Sequence, residues 1–147
     1  MRFEEGLSLR EARQRFFAET GYSEAQHKDR KVHLNFYGLR FWIPNTRSRQ
    51  RAVPIHDLHH ILTGYRTDWQ GEAEISAWEL ATGCRGYLAA WVLDGLGLLM
   101  GLVIAPRRTL RAFFRGLASS NLYGRQITDS LLDERIGVLR KRLRLST

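Results

Sequence analysis

His56, Asp57, His60 and Glu72 offer two imidazoles and two carboxylates at a spacing that one divalent cation could collect. Each helical residue advances by about 100°, so His56 and His60, four apart, project from one face and Asp57 lies about a quarter turn away. The run Pro54-Ile55-His56-Asp57-Leu58-His59-His60-Ile61-Leu62-Thr63-Gly64 predicts a helix with Pro54 in its first turn and Gly64 just past its end. One helix leaves such a site incomplete. Glu72 brings a further carboxylate back across the turn Tyr65-Arg66-Thr67-Asp68, near the start of a second helix. Two imidazoles with carboxylates favour zinc, with iron or manganese as alternatives, over magnesium or calcium, which take all-oxygen shells. The same residues also read as plain helix histidines bonded to Asp57, with Glu72 a first-turn carboxylate favoured by the helix dipole.

The elements that must position these groups follow from capping and periodicity. Ser8-Leu9-Arg10-Glu11 reads as a capping box, and Leu9, Ala12 and Phe16 form one stripe, predicting a packing helix over about 9–19 closed by Gly21. Val32, Leu34 and Phe36 alternate with polar residues, as do Leu39, Phe41 and Ile43 after Tyr37-Gly38, which predicts a minor hairpin. Asp68 caps a helix from Trp69 to Thr82, ended by Gly83, whose Trp69, Ile75, Trp78 and Leu80 read as core. Glu79, seven residues after Glu72, falls on nearly the same face and is the nearest substitute ligand or supporting base.

Leu88 to Ala105 carries Asp94 as its only charge and meets the minimum length of a membrane span. Asp94 would cost about 2.5–3.5 kcal/mol on insertion. With Gly95, Gly97 and Gly101, this favours a hydrophobic helix that lines a lipid-tail cavity or dips into one leaflet, the glycines letting an alkyl chain lie against backbone. Pro106 opens another helix with Leu110, Phe113, Phe114 and Leu117 on one side. Arg107, Arg108, Arg111 and Arg115 surround the rest, which reads either as an interfacial surface for anionic headgroups or as a solvated basic face over a core stripe. A last helix over about 129–143 sets Leu132, Ile136, Leu139 and Leu143 on one face. The expected architecture is mostly α, a compact helical bundle in a single domain spanning 1–147.

The pattern HDxxH, eleven residues, then Glu is similar to the signature of the coenzyme Q (ubiquinone) biosynthesis protein 4 family. Here it is His56-Asp57-Leu58-His59-His60 with Glu72, flanked by Leu62-Thr63-Gly64 and Gly71. Asn121-Leu122-Tyr123 and the stretch ending Leu139-Arg140-Lys141-Arg142-Leu143 also resemble that family, so the likeness runs from about Ala52 to Leu145. The N-terminal third is shorter than in typical members, and Thr46-Arg47-Ser48-Arg49-Gln50-Arg51 stands where they carry an Arg-rich segment. The resemblance implies a metal-dependent lyase of ubiquinone biosynthesis that removes the C1 carboxylate of a polyprenylated 4-hydroxybenzoate-type precursor at the membrane surface, with or without oxidation at that carbon. His56, Asp57, His60 and Glu72 would be the ligands, and His59 and Glu79 the candidates for proton transfer. The alternative within the resemblance is a non-catalytic prenyl-lipid-binding scaffold that organises other quinone biosynthesis proteins, with a closed metal shell. A third class, a metal-dependent hydrolase, follows from the likeness of HDxxH to HExxH, but the shorter Asp reaches a bound water less readily.

Charge is unevenly placed. Residues 52–106 hold two basic and six acidic side chains, and 107–147 hold ten basic and three acidic, within a net charge of +8. This suits a cation pocket inside a protein whose outside meets anions. The expected partners are a prenylated quinone precursor or other isoprenoid lipid and an anionic membrane surface. A homo-oligomer is open to it, and nucleic acid is not expected, since no such motif appears. Cys84, the single cysteine, fits a reducing compartment, and the acid-containing N-terminus lacks an apolar signal core, so a cytoplasmic, peripherally membrane-associated protein is expected.

Overall fold

The computed structural model describes residues 2–23, 31–36 and 38–145. Helix α1 (Leu9–Thr20) begins at the Ser8–Glu11 capping box and ends at Gly21, and the strands β1 (Lys31–Phe36) and β2 (Leu39–Pro44) pair antiparallel, with Phe36 opposite Leu39. Helices α2 (Arg47–Thr63), α3 (Trp69–Thr82), α4 (Leu88–Ile104) and α5 (Pro106–Leu117) follow, then the short α6 (Asp129–Leu132) and α7 (Ile136–Arg142). The result is a compact helical bundle, with the hairpin as a minor addition. The expected ends of α3 hold: the Asp68 side chain accepts from the Gly71 amide, and Gly83 follows the last turn.

Two expected boundaries move. Pro54 does not open the ligand helix. Thr46, whose side chain accepts from the Arg49 amide, starts α2 two turns earlier and leaves Pro54 inside it. The missing Pro54 amide costs one helical bond there. The last helix also divides. Arg135 is extended and bridges to Ser8, with the Leu9 amide donating to Glu134 and the Ile136 amide to Leu7, each at 2.9 Å. Arg10 clamps Asp129 and Asp133 at 2.8 and 2.9 Å. The stretch before α1 therefore inserts between α6 and α7, while Leu132, Ile136, Leu139 and Leu143 stay buried as expected.

Leu9 and Phe16 of α1, Leu58, Ile61 and Leu62 of α2, and Trp78 of α3 meet Leu122, Ile136 and Leu139 in one core. Arg140 is buried in it, its guanidinium donating to the carbonyls of Leu62, Ile61 and Phe3. The Ile61 and Leu62 contacts occupy carbonyls near the end of α2, where helical groups lack intrahelical partners.

Helix α3 packs on α4 and α5 through small residues. A Cβ on Gly97 would overlap the Ser76 side chain, one on Gly101 would come within 2.7 Å of Ala73 and 2.6 Å of Thr109, and one on Gly116 within 2.6 Å of Ala81. The expectation that an alkyl chain lies against Gly97 and Gly101 is overturned, because the Ser76, Ala73 and Thr109 side chains already fill that space. Only Gly95 of the three faces open space. With the small residues turned inward, the large ones turn out: Leu88, Trp91, Leu96, Leu99 and Val103 of α4, and Leu110, Phe114 and Leu117 of α5, are exposed. Among the described residues no helix is long and apolar enough to cross a membrane.

Candidate metal centre

His56 and His60 project from one face of α2, and Glu72 returns to them from the first turn of α3. Gly71 makes that return possible, because any Cβ there would overlap the backbone of Arg66 in the connecting turn. The two imidazole Nε2 atoms lie 3.2 Å apart. The Glu72 carboxylate places one oxygen 3.4 Å from His56 Nε2 and the other 3.3 Å from His60 Nε2. The three residues therefore each offer a ligand atom near enough to the others for one cation to reach all of them.

The other ring nitrogens fix which atoms face that centre. His60 Nδ1–H donates to the Tyr65 carbonyl at 3.1 Å, and His56 Nδ1–H donates to Glu79 Oε2 at 3.0 Å. Both Nε2 atoms are thereby left as lone-pair donors aimed at the same point. A carbonyl or a carboxylate behind each ligand imidazole is the usual support of a metal-binding histidine. Phe16 stacks on the His60 ring, its centroid 6.0 Å away, and closes the site from the α1 side.

Glu79 is the hub behind the ligands. It is fully buried and accepts from His56 Nδ1, His59 Nδ1 and the Tyr123 hydroxyl. Burial pushes its pKa up, but the His56 and His59 rings outweigh that and hold it well below the ordinary carboxylate range. Burial likewise disfavours a charged His56, yet Glu79 and Glu72 raise its pKa well above the usual histidine value. Without an ion, the site therefore keeps a proton on His56, which relieves the two facing lone pairs.

The expected site residues separate under this geometry. His56, His60 and Glu72 converge, and His56, Glu79 and Asp94 form a second close group beneath them. Asp57 does not join either group. It is buried, and its charge acts on Tyr22, which also feels Glu72 and His56, and on Arg49. His59 is fully buried, its Nε2 accepting from the Leu122 amide at 2.9 Å and its Nδ1 turned to Glu79. With both nitrogens engaged, His59 and Glu79 are placed to hold the ligands rather than to exchange protons with a substrate. Burial lowers the His59 pKa, the Glu79 hydrogen bond opposing it.

The four arginines also separate. Arg108 forks onto Glu74 at 3.1 and 2.6 Å, and Arg115 donates to the Thr63 carbonyl at 3.1 Å while lying over the Tyr65 ring. Both brace the bundle. Arg107 and Arg111 stand exposed.

Tyr123 and Asp94 carried no assigned role in the sequence. Tyr123 belongs to the Asn121-Leu122-Tyr123 run, whose Asn121 side chain donates to Thr82 Oγ1 and the Gly83 carbonyl and so anchors the run at the end of α3. Asp94, on α4, accepts from the Cys84 thiol at 3.3 Å. Burial, followed by the negative charge of Glu79, raises its pKa well above the usual value. Its signal was available: a single acid amid the apolar run from Leu88 to Ala105. No family model, no curated protein and no solved structure matches this chain.

Proposed function

We propose that the chain is a metal-dependent enzyme whose ion, zinc first and iron or manganese next, is held by His56, His60 and Glu72. The observation that carries this reading is the pair of imidazole Nε2 atoms 3.2 Å apart with their Nδ1 atoms committed elsewhere. Two lone pairs so placed repel unless a proton or a metal cation lies between them. A bound ion there would supply a Lewis acid for a carboxylate or phenolate oxygen. His56 and Glu72 are partly exposed and form the solvent side of the centre. His60, buried, forms its floor. Three protein ligands leave a position for substrate, the arrangement of catalytic rather than structural sites. The protein's contribution to chemistry is then to orient the substrate's anionic head and to keep the ligand rings fixed through Glu79 and Tyr65.

The likeness of His56-Asp57-Leu58-His59-His60 and Glu72 to the coenzyme Q biosynthesis protein 4 signature supports a polyprenylated 4-hydroxybenzoate-type acid as substrate and loss of its ring carboxylate as the reaction. A prenyl-lipid-binding scaffold of quinone biosynthesis is the second reading, favoured by how little of the centre is left for proton transfer once His59 and Glu79 serve as supports. The test is elemental analysis of the purified protein, with incubation of a short-chain prenylated 4-hydroxybenzoate and detection of the decarboxylated product. One ion per chain, lost in His56→Ala and His60→Ala, with substrate turnover, sustains the enzyme. Metal without turnover selects the scaffold, and a folded protein that binds none of the three metals overturns the site.

A further inference from the structure

The outward faces of α4 and α5 share a composition the metal centre does not explain. On α5, Thr109, Ala112 and Gly116 face inward, and Arg107, Leu110, Arg111, Phe114 and Leu117 form the opposite stripe. Their spacing of three, one, three and three residues keeps all of them on one side of a helix. Phe114 is 64% exposed. On α4, Ala90, Asp94, Gly97 and Gly101 face inward, while Trp91, Leu96, Leu99 and Val103 face out, Val103 being 82% exposed. Large apolar side chains concentrated on two consecutive helices mark an interaction surface rather than the scattered exposure of ordinary proteins.

Charge selects the occupant. From Leu88 to Leu117 the only acidic residue is Asp94, which is buried, so neither outward face presents a carboxylate. Arg107 and Arg111 flank Leu110 on the same stripe, and neither has an ion-pair partner among the described residues, whereas Arg108 pairs with Glu74 and Arg115 donates to the Thr63 carbonyl. A second copy of this chain, meeting face to face, would set these guanidinium groups against one another with no counter-charge. An anionic lipid surface offers both an apolar phase for the side chains and phosphates for the arginines.

We propose that α4 and α5 dock this protein peripherally on an anionic bilayer, with Phe114, Leu117 and the outward residues of α4 inserted below the headgroups and Arg107 and Arg111 at the phosphate level. The proposal does not depend on the metal centre, which lies on α2 and α3. Trp91, on the outward face of α4, is a built-in reporter.

The experiment mixes the full chain with vesicles of phosphatidylcholine alone or with added phosphatidylglycerol, and reads sedimentation and tryptophan emission. Binding should require phosphatidylglycerol, weaken as salt rises, and shift the emission to the blue. The shift should vanish in Trp91→Phe and survive in Trp42→Phe. Each arginine contributes about five-fold in binding, so Arg107→Gln with Arg111→Gln should weaken it about thirty-fold. Leu99→Ser with Phe114→Ser should remove the shift. Circular dichroism and metal content should be unchanged in these variants, since every altered residue is exposed. Equal binding to both vesicle types, or no binding to either, overturns the proposal. So does a lipid-free dimer, seen by analytical ultracentrifugation, that the Leu99→Ser and Phe114→Ser changes dissociate.

Discussion

The α2–α3 pair and the α4–α5 pair invert the usual arrangement of side chains in opposite ways. In α2 and α3, ionisable residues go inside: His59 and Glu79 are fully buried, and each polar atom of that cluster has a partner on another element. In α4 and α5, large apolar residues go outside, because glycine, alanine, serine and threonine occupy the seam with α3. Both inversions cost stability that must be offset elsewhere, by hydrogen bonding in the first case and by close backbone packing in the second. Interiors tolerate polar groups when they are satisfied, and surfaces hold apolar ones where something else is meant to cover them.

Breaking the first region should have the largest effect. Glu79→Ala strands the donors of His56, His59 and Tyr123 in a buried space, and should cost about 3–5 kcal/mol in urea unfolding, the scale of breaking a buried charged pair. Glu79→Gln keeps the shape and should mainly weaken metal binding, by about 10- to 100-fold, as expected for a group that supports a ligand. A Glu79→Ala protein as stable as the parent would mean that the buried cluster is not a cluster in solution.

The second region should be sensitive inside and tolerant outside. Gly116→Leu drives a side chain into Ala81 and the Trp78 backbone and should cost about 1–3 kcal/mol. Phe114→Ser on the opposite face of the same helix should change stability by less than about 0.5 kcal/mol. If the two substitutions cost the same in thermal unfolding, the orientation of α5 is refuted.

The pH dependence sharpens the metal reading. The carboxylates raise the His56 pKa, so a proton occupies the ligand ring above the ordinary histidine range and must leave when an ion binds. Apparent affinity should therefore rise with pH, by up to about ten-fold per pH unit for one displaced proton, and level off once the pH exceeds the His56 value. Competition with a chromophoric chelator at a series of pH values measures this. A flat profile below that plateau would show that His56 is not a ligand. The smallest effect belongs to Tyr123→Phe, which removes one of the donors to Glu79 and should cost about 1 kcal/mol in unfolding while leaving the ion in place.

Local signals in the sequence were strong where one side chain settles the question. The Ser8–Glu11 box, the Asp68 cap and Gly83 gave the ends of α1 and α3, and the spacing of His56, His60 and Glu72 pointed to three side chains that the fold brings together. Signals failed where two local preferences compete or where the partner is distant. Pro54 is a good first-turn residue, but the Thr46 cap lies upstream and the helix tolerates the lost bond. The 129–143 periodicity is intact, yet Arg135 leaves the helix because Ser8 needs a strand-like neighbour from more than a hundred residues away. A stripe such as Leu110, Phe114 and Leu117 announces amphipathicity without saying which side faces in. That choice was made by Gly116, which only α3 could reveal.

The bond from Leu122 to His59 spans 63 residues, and that from Tyr123 to Glu79 spans 44. A ribosome that has released only α2 and α3 has therefore delivered all three converging side chains but not the groups that lock their supports. During synthesis the nascent chain passes through an interval in which His59 and Glu79 are tethered loosely, and a cation meeting it then finds rings free to rotate. If the proposed ion is bound, its firm retention would wait for the segment after α5 to fold back onto α3, so capture of the ion and completion of the domain would be one late event. Pulse-labelled chains stalled before Asn121 should exchange metal readily, and chains stalled well beyond Leu145 should not.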